Sequence, residues 1–185
     1  MEDVDPDLNF YNNIAFNDTM YKLPSEIQDS VDDSTHFEFS ILHANCRGLV
    51  YNFDKLQSLV DTIPTNISVI ATTETWTESH NENNYQLDGY NFEVISRRHK
   101  SCGGVGLYVN HSLRYTLRND LCVSVPDTLE CVFIELELKK MLVGCLYRPP
   151  GSDVASFTAQ LDTLLSRINN EKKLLILQEI LILTC

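Results

Sequence analysis

The sequence predicts a layered α/β domain with mixed strands, and three observations carry that prediction. Short apolar runs alternate at a period of two, which is the mark of strands. Two longer segments repeat apolar residues at steps of three and four, which is the mark of amphipathic helices. Gly, Pro and Asn collect between these segments as turns.

Met1 to about Thr35 is rich in Asp, Asn and Ser with scattered aromatics and no sustained period, which describes an acidic, loosely docked leader over 1–35. The domain edge falls near His36, and the domain is expected to occupy 36–177. Phe37, Phe39, Ile41 and His43 alternate with Glu38, Ser40, Leu42 and Ala44, predicting a strand that ends at Asn45, followed by a Cys46-Arg47-Gly48 turn. Asn52 can cap a helix whose Phe53, Leu56, Val60 and Ile63 share one face and which Pro64 ends. Ile67 to Ala71 reads as a buried second strand, with Glu74 just past its end.

Polar Thr77 to Asn84 reads as a loop, Asn91 to Ser96 as a strand, and Gly103-Gly104 opens another strand from Val105 to Val109. Cys131 to Leu138 and Met141 to Tyr147 flank the polar turn Lys139-Lys140 and are expected to extend one antiparallel meander. Pro149-Pro150-Gly151 stops it. Ser152 or Asp153 can cap a helix bearing Phe157, Leu161, Leu164, Leu165 and Ile168, and Leu174 to Leu177 begins one more apolar strand.

Composition narrows the function classes. With 43% hydrophobic and 22% charged residues in 185, the chain can bury one sizeable core. No stretch approaches the ~20 uninterrupted apolar residues of a membrane span, and Met1-Glu2-Asp3 is unlike a secretory signal, so the expectation is an intracellular protein, nuclear or cytoplasmic, with no membrane partner. The six cysteines show no Cys-x-x-Cys pair, which argues against a zinc site and a disulfide framework and leaves them as free thiols. The net charge is −12, and residues 1–40 hold ten acids against the single base Lys22. The remainder is therefore nearly neutral, and charge alone neither excludes nor requires nucleic acid. Arg97-Arg98-His99-Lys100 and Lys139-Lys140 are either solvated turns or phosphate contacts.

Three polar residues sit just beyond predicted strand ends: Asn45, Glu74 and Tyr147. A lone Glu74 would ordinarily be a solvated loop carboxylate. Together the three offer a carboxylate suited to a hard divalent cation, an amide able to orient it, and a phenol able to donate to a phosphoryl oxygen.

The words around these residues form an ordered set. Leu42-His43-Ala44-Asn45-Cys46-Arg47-Gly48-Leu49, Thr73-Glu74-Thr75-Trp76, Gly89-Tyr90, Gly103-Gly104-Val105-Gly106-Leu107-Tyr108-Val109 and Leu146-Tyr147-Arg148-Pro149-Pro150 resemble, in order and spacing, the endonuclease/exonuclease/phosphatase superfamily. More narrowly they look like the apurinic-type endonuclease domain that precedes the reverse transcriptase in non-LTR retrotransposon polyproteins. The resemblance runs from about Phe37 to Leu177. It implies a four-layer α/β sandwich of two mixed sheets with outer helices, Mg²⁺ as cofactor, DNA as substrate and a reverse-transcriptase domain in cis. It further implies that Asn45 lies near the metal and the scissile phosphate, that Glu74 is the main metal ligand, and that Tyr147 hydrogen-bonds the phosphoryl group. Arg47 has no secure catalytic counterpart, and the Gly103 to Val109 word matches a structural strand whose glycines allow close packing.

The C-terminus departs from the pattern. The superfamily requires Gly-Asp-Phe-Asn after a strand like Leu174 to Leu177, and later a Ser-Asp-His, but the chain reads Gln178-Glu179-Ile180-Leu181-Ile182-Leu183-Thr184-Cys185. One codon choice for these residues is CAG GAG ATT TTA ATA TTG ACT TGT. Read from its third letter, that string gives Gly-Asp-Phe-Asn-Ile-Asp-Leu, the missing motif in another frame. The expectation is a frameshift, mis-set exon boundary or decayed copy, an out-of-frame tail over 178–185, a sandwich incomplete at its C-terminus, and a chain inactive as written. Glu179 is then no substitute for the missing aspartate. The alternatives are another phosphoesterase of the same superfamily, phosphomonoesterase or sphingomyelinase-like, or a non-enzymatic binding module or gene-model fragment.

Overall fold

β1 (Ile41–Asn45) and β2 (Val69–Thr73) run parallel, in register from Ile41 opposite Val69 to Asn45 opposite Thr73, and α1 (Leu49–Thr62) connects them. The computed structural model describes residues 39–78, 80–96, 102–138 and 140–181. The acidic leader 1–35, the Arg97-Arg98-His99-Lys100 cluster, Lys139 and Cys185 lie outside the described residues.

β4 (Val105–Asn110) lies antiparallel to β2 on one side and to β3 (Tyr90–Ile95) on the other, so the first sheet has the order β1-β2-β4-β3. The second sheet has the order β5-β7-β8-β9, built from β5 (Tyr115–Leu117), β7 (Leu129–Leu136), β8 (Met141–Arg148) and β9 (Leu174–Leu181), with β6 (Val123–Val125) also on β7. α2 (Val154–Asn170) makes the crossover from β8 to the parallel β9. Each sheet is mixed, with one parallel pair bridged by a helix.

The alternation of side chains decides the layers. In the first sheet Val69, Ala71, Val105, Leu107 and Val109 point toward the second sheet, where Val132, Ile134, Met141, Val143 and Cys145 meet them. The intervening Ile70 and Tyr108 point the other way, onto Leu49 and Leu56 of α1. On the far side Phe133, Leu142 and Leu146 take Phe157, Leu164 and Ile168 of α2. The order is therefore helix, sheet, sheet, helix, the four-layer sandwich. Each fully buried Val, Leu or Phe contributes about 1.5–3 kcal/mol of apolar transfer, and that is why one-residue slips in register are disfavoured. Gly144 completes the outer face, because a Cβ there would collide with the Phe133 ring.

Several expectations need correction. α1 begins at Leu49, so Asn52 is not its cap: Asn52 lies in the first turn, where its Nδ2 donates to the carbonyls of Cys46 (3.0 Å), Arg47 (3.2 Å) and Gly48 (3.4 Å) and ties down the preceding loop. The expected single meander is divided, with β3 and β4 in the first sheet and β7 and β8 in the second, because β5 and β6 intervene. Those two strands, three residues each, are too short to show a period. Tyr147 and Asn45 lie within strands rather than beyond them. Asp153 rather than Ser152 caps α2, accepting from Ser156 N–H at 2.8 Å. The cysteines among the described residues are free thiols, as expected. Among the described residues no helix is long and apolar enough to cross a membrane.

An ion network closes the second sheet. Arg118, mostly buried, pairs with Asp120 (2.7 Å), Glu135 (2.9 Å) and Glu171 (2.5 Å), and Lys173 joins Glu135 (2.7 Å) and Glu171 (2.8 Å). Hydrogen bonds from Arg118, then Lys173, hold the Glu171 carboxyl down to about 2. A depressed carboxylate stabilises the fold above its unfolded value, near 4.3, and that contribution is lost as pH falls through about 2. Arg118→Met should therefore lower the thermal midpoint at neutral pH by roughly 3–8 °C and flatten the acid limb between pH ~4.5 and ~2, as read by circular dichroism. An unchanged acid limb would show that the network is not coupled to folding.

β1 pairs only with β2, and β9 only with β8, so both sheets end in a strand with an unpaired edge among the described residues. Such edges template further pairing. The 185-residue chain should therefore self-associate with rising concentration in sedimentation velocity, and a monodisperse monomer through tens of micromolar would contradict this.

Candidate active site at the sheet rim

β1 and β2 end side by side, and the turns that follow them are stitched together by backbone hydrogen bonds. Cys46 N–H donates to Thr73 O (2.9 Å), Gly48 N–H to Glu74 O (2.7 Å) and Leu49 N–H to Thr75 O (2.8 Å). The turn before β4 joins them, since Gly104 O accepts from Thr75 N–H (3.2 Å) and Gly103 O from Trp76 N–H (2.9 Å). Three loops thus make one rim. Arg47, Glu74 and Trp76 all adopt positive φ there, at 44°, 52° and 52°, beside Gly48 at 90°. Non-glycine residues in this region cost of order 1–3 kcal/mol each, and their clustering marks a place where side-chain position outranks backbone comfort. Gly48 is required twice over, by its φ and because a Cβ would lie 2.5 Å from Trp76 Cε3.

Asn45 and Glu74 meet directly. Asn45 Nδ2 donates to Glu74 Oε1 at 3.0 Å, while Asn45 Oδ1 accepts from Arg47 N–H at 3.2 Å. Asn45 is exposed and Glu74 half-buried, so a carboxylate of fixed orientation faces solvent. Beneath it Cys46 is buried, and burial, reinforced by the Glu74 charge, pushes its thiol up to about 12. Thiolate chemistry is thereby shut off at this rim.

Tyr147 approaches from the second sheet. Cys145 Sγ lies 3.4 Å from Thr72 O, which sets β8 across the end of β2 and carries Tyr147, two residues on, to the same end of the sandwich as Glu74. Its side chain is 3% exposed and packs into the layer between the sheets. Tyr147 is therefore a wall of the rim, whereas Asn45 and Glu74 form its open face.

Three polar residues at this rim had roles that the sequence reading did not assign. Glu130 is opposite Tyr147 in the β7–β8 ladder, is 1% exposed, and accepts from Gly104 N–H through Oε2 at 2.6 Å. It ties the second sheet to the glycine turn that in turn holds Thr75 and Trp76. The signal was present: a single acid inside the apolar run Leu129-Glu130-Cys131-Val132-Phe133 must be satisfied if that run is buried. Thr75 and Thr77 escaped it too. Thr75 Oγ1 and Thr77 Oγ1 are 3.1 Å apart, Thr77 Oγ1 is 2.9 Å from Ser96 Oγ, and Ser96 donates to Glu82 Oε1 at 2.6 Å, a hydroxyl chain that pins the loop after Glu74.

No protein-family model matches the sequence, and no curated protein matches it. Solved structures do. A Bacteroides thetaiotaomicron protein of the endonuclease/exonuclease/phosphatase family superposes with a TM-score of 0.53 at 12% identity, covering 76% of this chain and 61% of that one. The chain has the endonuclease/exonuclease/phosphatase fold. The endonuclease domain of TRAS1, a telomere-specific non-LTR retrotransposon, resembles it with a TM-score of 0.52 at 14% identity, covering 76% of this chain and 57% of that one. D. rerio TDP2, solved with a single-strand DNA product, gives 0.53 at 14% identity over 76% and 58%. The chain spans about three-fifths of the length of the solved structures it matches. The Asn45–Glu74 rim lies at one end of this helix-sheet-sheet-helix arrangement.

Proposed function

We infer that the chain is the N-terminal part of a Mg²⁺-dependent DNA endonuclease domain of a retroelement polyprotein, inactive as a 185-residue chain. The observation that carries this reading is the Asn45–Glu74 hydrogen bond, held on strained backbone at the rim of a fold shared with a retrotransposon endonuclease domain. In the ordered words of the sequence, Thr73-Glu74-Thr75-Trp76 and Tyr147-Arg148-Pro149-Pro150 favour the retroelement branch over phosphomonoesterases. The proposed roles are those the resemblance implies, with the Asn45–Glu74 hydrogen bond in support of the first two. Glu74 supplies the anionic ligand, Asn45 fixes its orientation and reaches the scissile phosphate, and Tyr147 presents a phenol to the phosphoryl group.

The described residues do not complete a metal centre. They hold no group of three His, Cys, Asp or Glu able to bind an ion; the solvent-facing carboxylate of the rim is Glu74, beside the Asn45 amide, and Glu130 is buried on Gly104 N–H. Mg²⁺ takes octahedral oxygen coordination, and one carboxylate binds it weakly. β9 continues through Gln178-Glu179-Ile180-Leu181, where the superfamily has Gly-Asp-Phe-Asn, so the aspartate and asparagine expected to position water and phosphate are missing. With Glu74 alone, in-line attack on a diester has neither an oriented nucleophile nor enough stabilisation for the charge that develops on the non-bridging and leaving oxygens. The domain is proposed to span 36–177, preceded by an acidic leader over 1–35 and followed by an out-of-frame tail.

The experiment is to restore the frame, so that Leu177 is followed by Gly-Asp-Phe-Asn and the encoded remainder, and to measure nicking of supercoiled plasmid. Mg²⁺-dependent nicking is expected on restoration. A restored protein that folds and hydrolyses phosphomonoesters while leaving plasmid intact would place the chain elsewhere in the superfamily.

A further inference from the structure

The rim carries an exposed aromatic shelf that the chemistry at Glu74 does not use. Tyr51, on the first turn of α1, is 75% exposed, and its neighbour Val50 is 52% exposed. They lie side by side on the solvent face of the helix, while Leu49 and Leu56 bury its other face completely or nearly so. The shelf is backed by a second ring. Tyr51 meets Trp76 edge to face, with ring centroids 6.4 Å apart, and Trp76 is wedged against Gly48 by its own positive φ.

The shelf is joined to the candidate site by two backbone hydrogen bonds. Tyr51 N–H donates to Gly48 O (3.1 Å), and Gly48 N–H donates to Glu74 O (2.7 Å). Arg47 stands on the same turn, exposed, and no ion pair among the described residues holds its guanidinium. An open aromatic face, a cation and the Asn45–Glu74 pair therefore follow one another along the rim. Flat aromatic faces stack on nucleobases of any sequence, and neighbouring arginines take the phosphate between them.

We propose that Tyr51, backed by Trp76 and flanked by Arg47, is a base-stacking platform for the nucleotide next to the phosphate assigned to Asn45. The occupant is a nucleobase of a single or locally unpaired DNA strand. This rests on the nuclease reading, because the shelf's neighbour is the site assigned there to the scissile phosphate. It assigns sequence-tolerant strand capture to α1 and leaves bond cleavage to the rest of the rim.

The test is fluorescence anisotropy with the full chain and a labelled single-stranded DNA of about 12 nucleotides, a length within the usual span of such surfaces, at protein concentrations below self-association. Tyr51→Ala should weaken binding by roughly 5- to 100-fold, the scale of one lost base stack, and Tyr51→Phe should retain it. Arg47→Ala should weaken binding and lower the salt slope by about one. With an abasic oligonucleotide of the same length, Tyr51→Ala should make no further difference, which separates stacking from phosphate contact. Thermal midpoints near the parent value are expected for all three variants, because both side chains are exposed. If the parent binds DNA and Tyr51→Ala binds equally well, the platform is overturned while the nuclease reading stands. If the parent binds no DNA at all, the platform is overturned, and nicking by the frame-restored protein decides the nuclease reading separately.

Discussion

In the frame-restored protein, Glu74→Ala should lower Mg²⁺-dependent plasmid nicking by a factor on the order of a hundred or more, the scale of losing an electrostatic or metal-holding group. The structure explains why no neighbour can stand in for it. Asn45 already spends its Nδ2 on Glu74 and its Oδ1 on the Arg47 amide, and Cys46 beneath is held as a neutral thiol. Glu74→Gln keeps an oxygen for Asn45 but loses the charge, so it should fall nearly as far as alanine. Asn45→Ala removes the positioning bond and leaves the carboxylate, which predicts a smaller loss of about 10- to 100-fold. A restored protein that cuts equally well with Glu74→Ala would overturn the assignment of this carboxylate.

Phe133→Ala should be among the most damaging substitutions away from the rim, costing about 3–5 kcal/mol. Phe133 is fully buried on the outer face of the second sheet, with Leu142 and Leu146 beside it and α2 above. Gly144, its partner across the β7–β8 ladder, leaves the space that the ring fills, so removing the ring opens a void that glycine cannot close. Against the total stability of a domain this size, such a loss leaves little of the native state. Urea denaturation should show a midpoint shifted far down or no cooperative transition, whereas a shift under 1 kcal/mol would mean that α2 is not packed on this face. Gly144→Ala should destabilise in the same direction, through overpacking against the same ring.

The layered architecture was legible because burial and period coincide. Ile70 between Val69 and Ala71, or Tyr108 between Leu107 and Val109, are all apolar, and only strands buried on both faces read that way. The Asn45–Glu74 pairing was legible as two strand ends, since parallel neighbours joined by one helix must finish at the same edge. Other features depended on partners remote in sequence. Asn52 looks like a helix cap until the three carbonyls that it serves are seen to precede the helix. Glu130 gained meaning only when Gly104, 26 residues away in sequence, was placed against it. Tyr147 was expected past a strand end, yet the ladder holds through Arg148, opposite Leu181 of β9. The division of the hairpins between two sheets could not be read from local alternation, which is the same in either sheet.

The central claim is that these 185 residues hold a true half-site, with Glu74 in place and the residues that orient the attacking water missing. It is tested most directly by plasmid nicking in Mg²⁺ with three proteins side by side: the 185-residue chain, its Glu74→Ala variant, and the frame-restored protein. The account predicts no nicking above background from the first two and Mg²⁺-dependent nicking from the third. Nicking by the unrepaired chain that disappears with Glu74→Ala would contradict it.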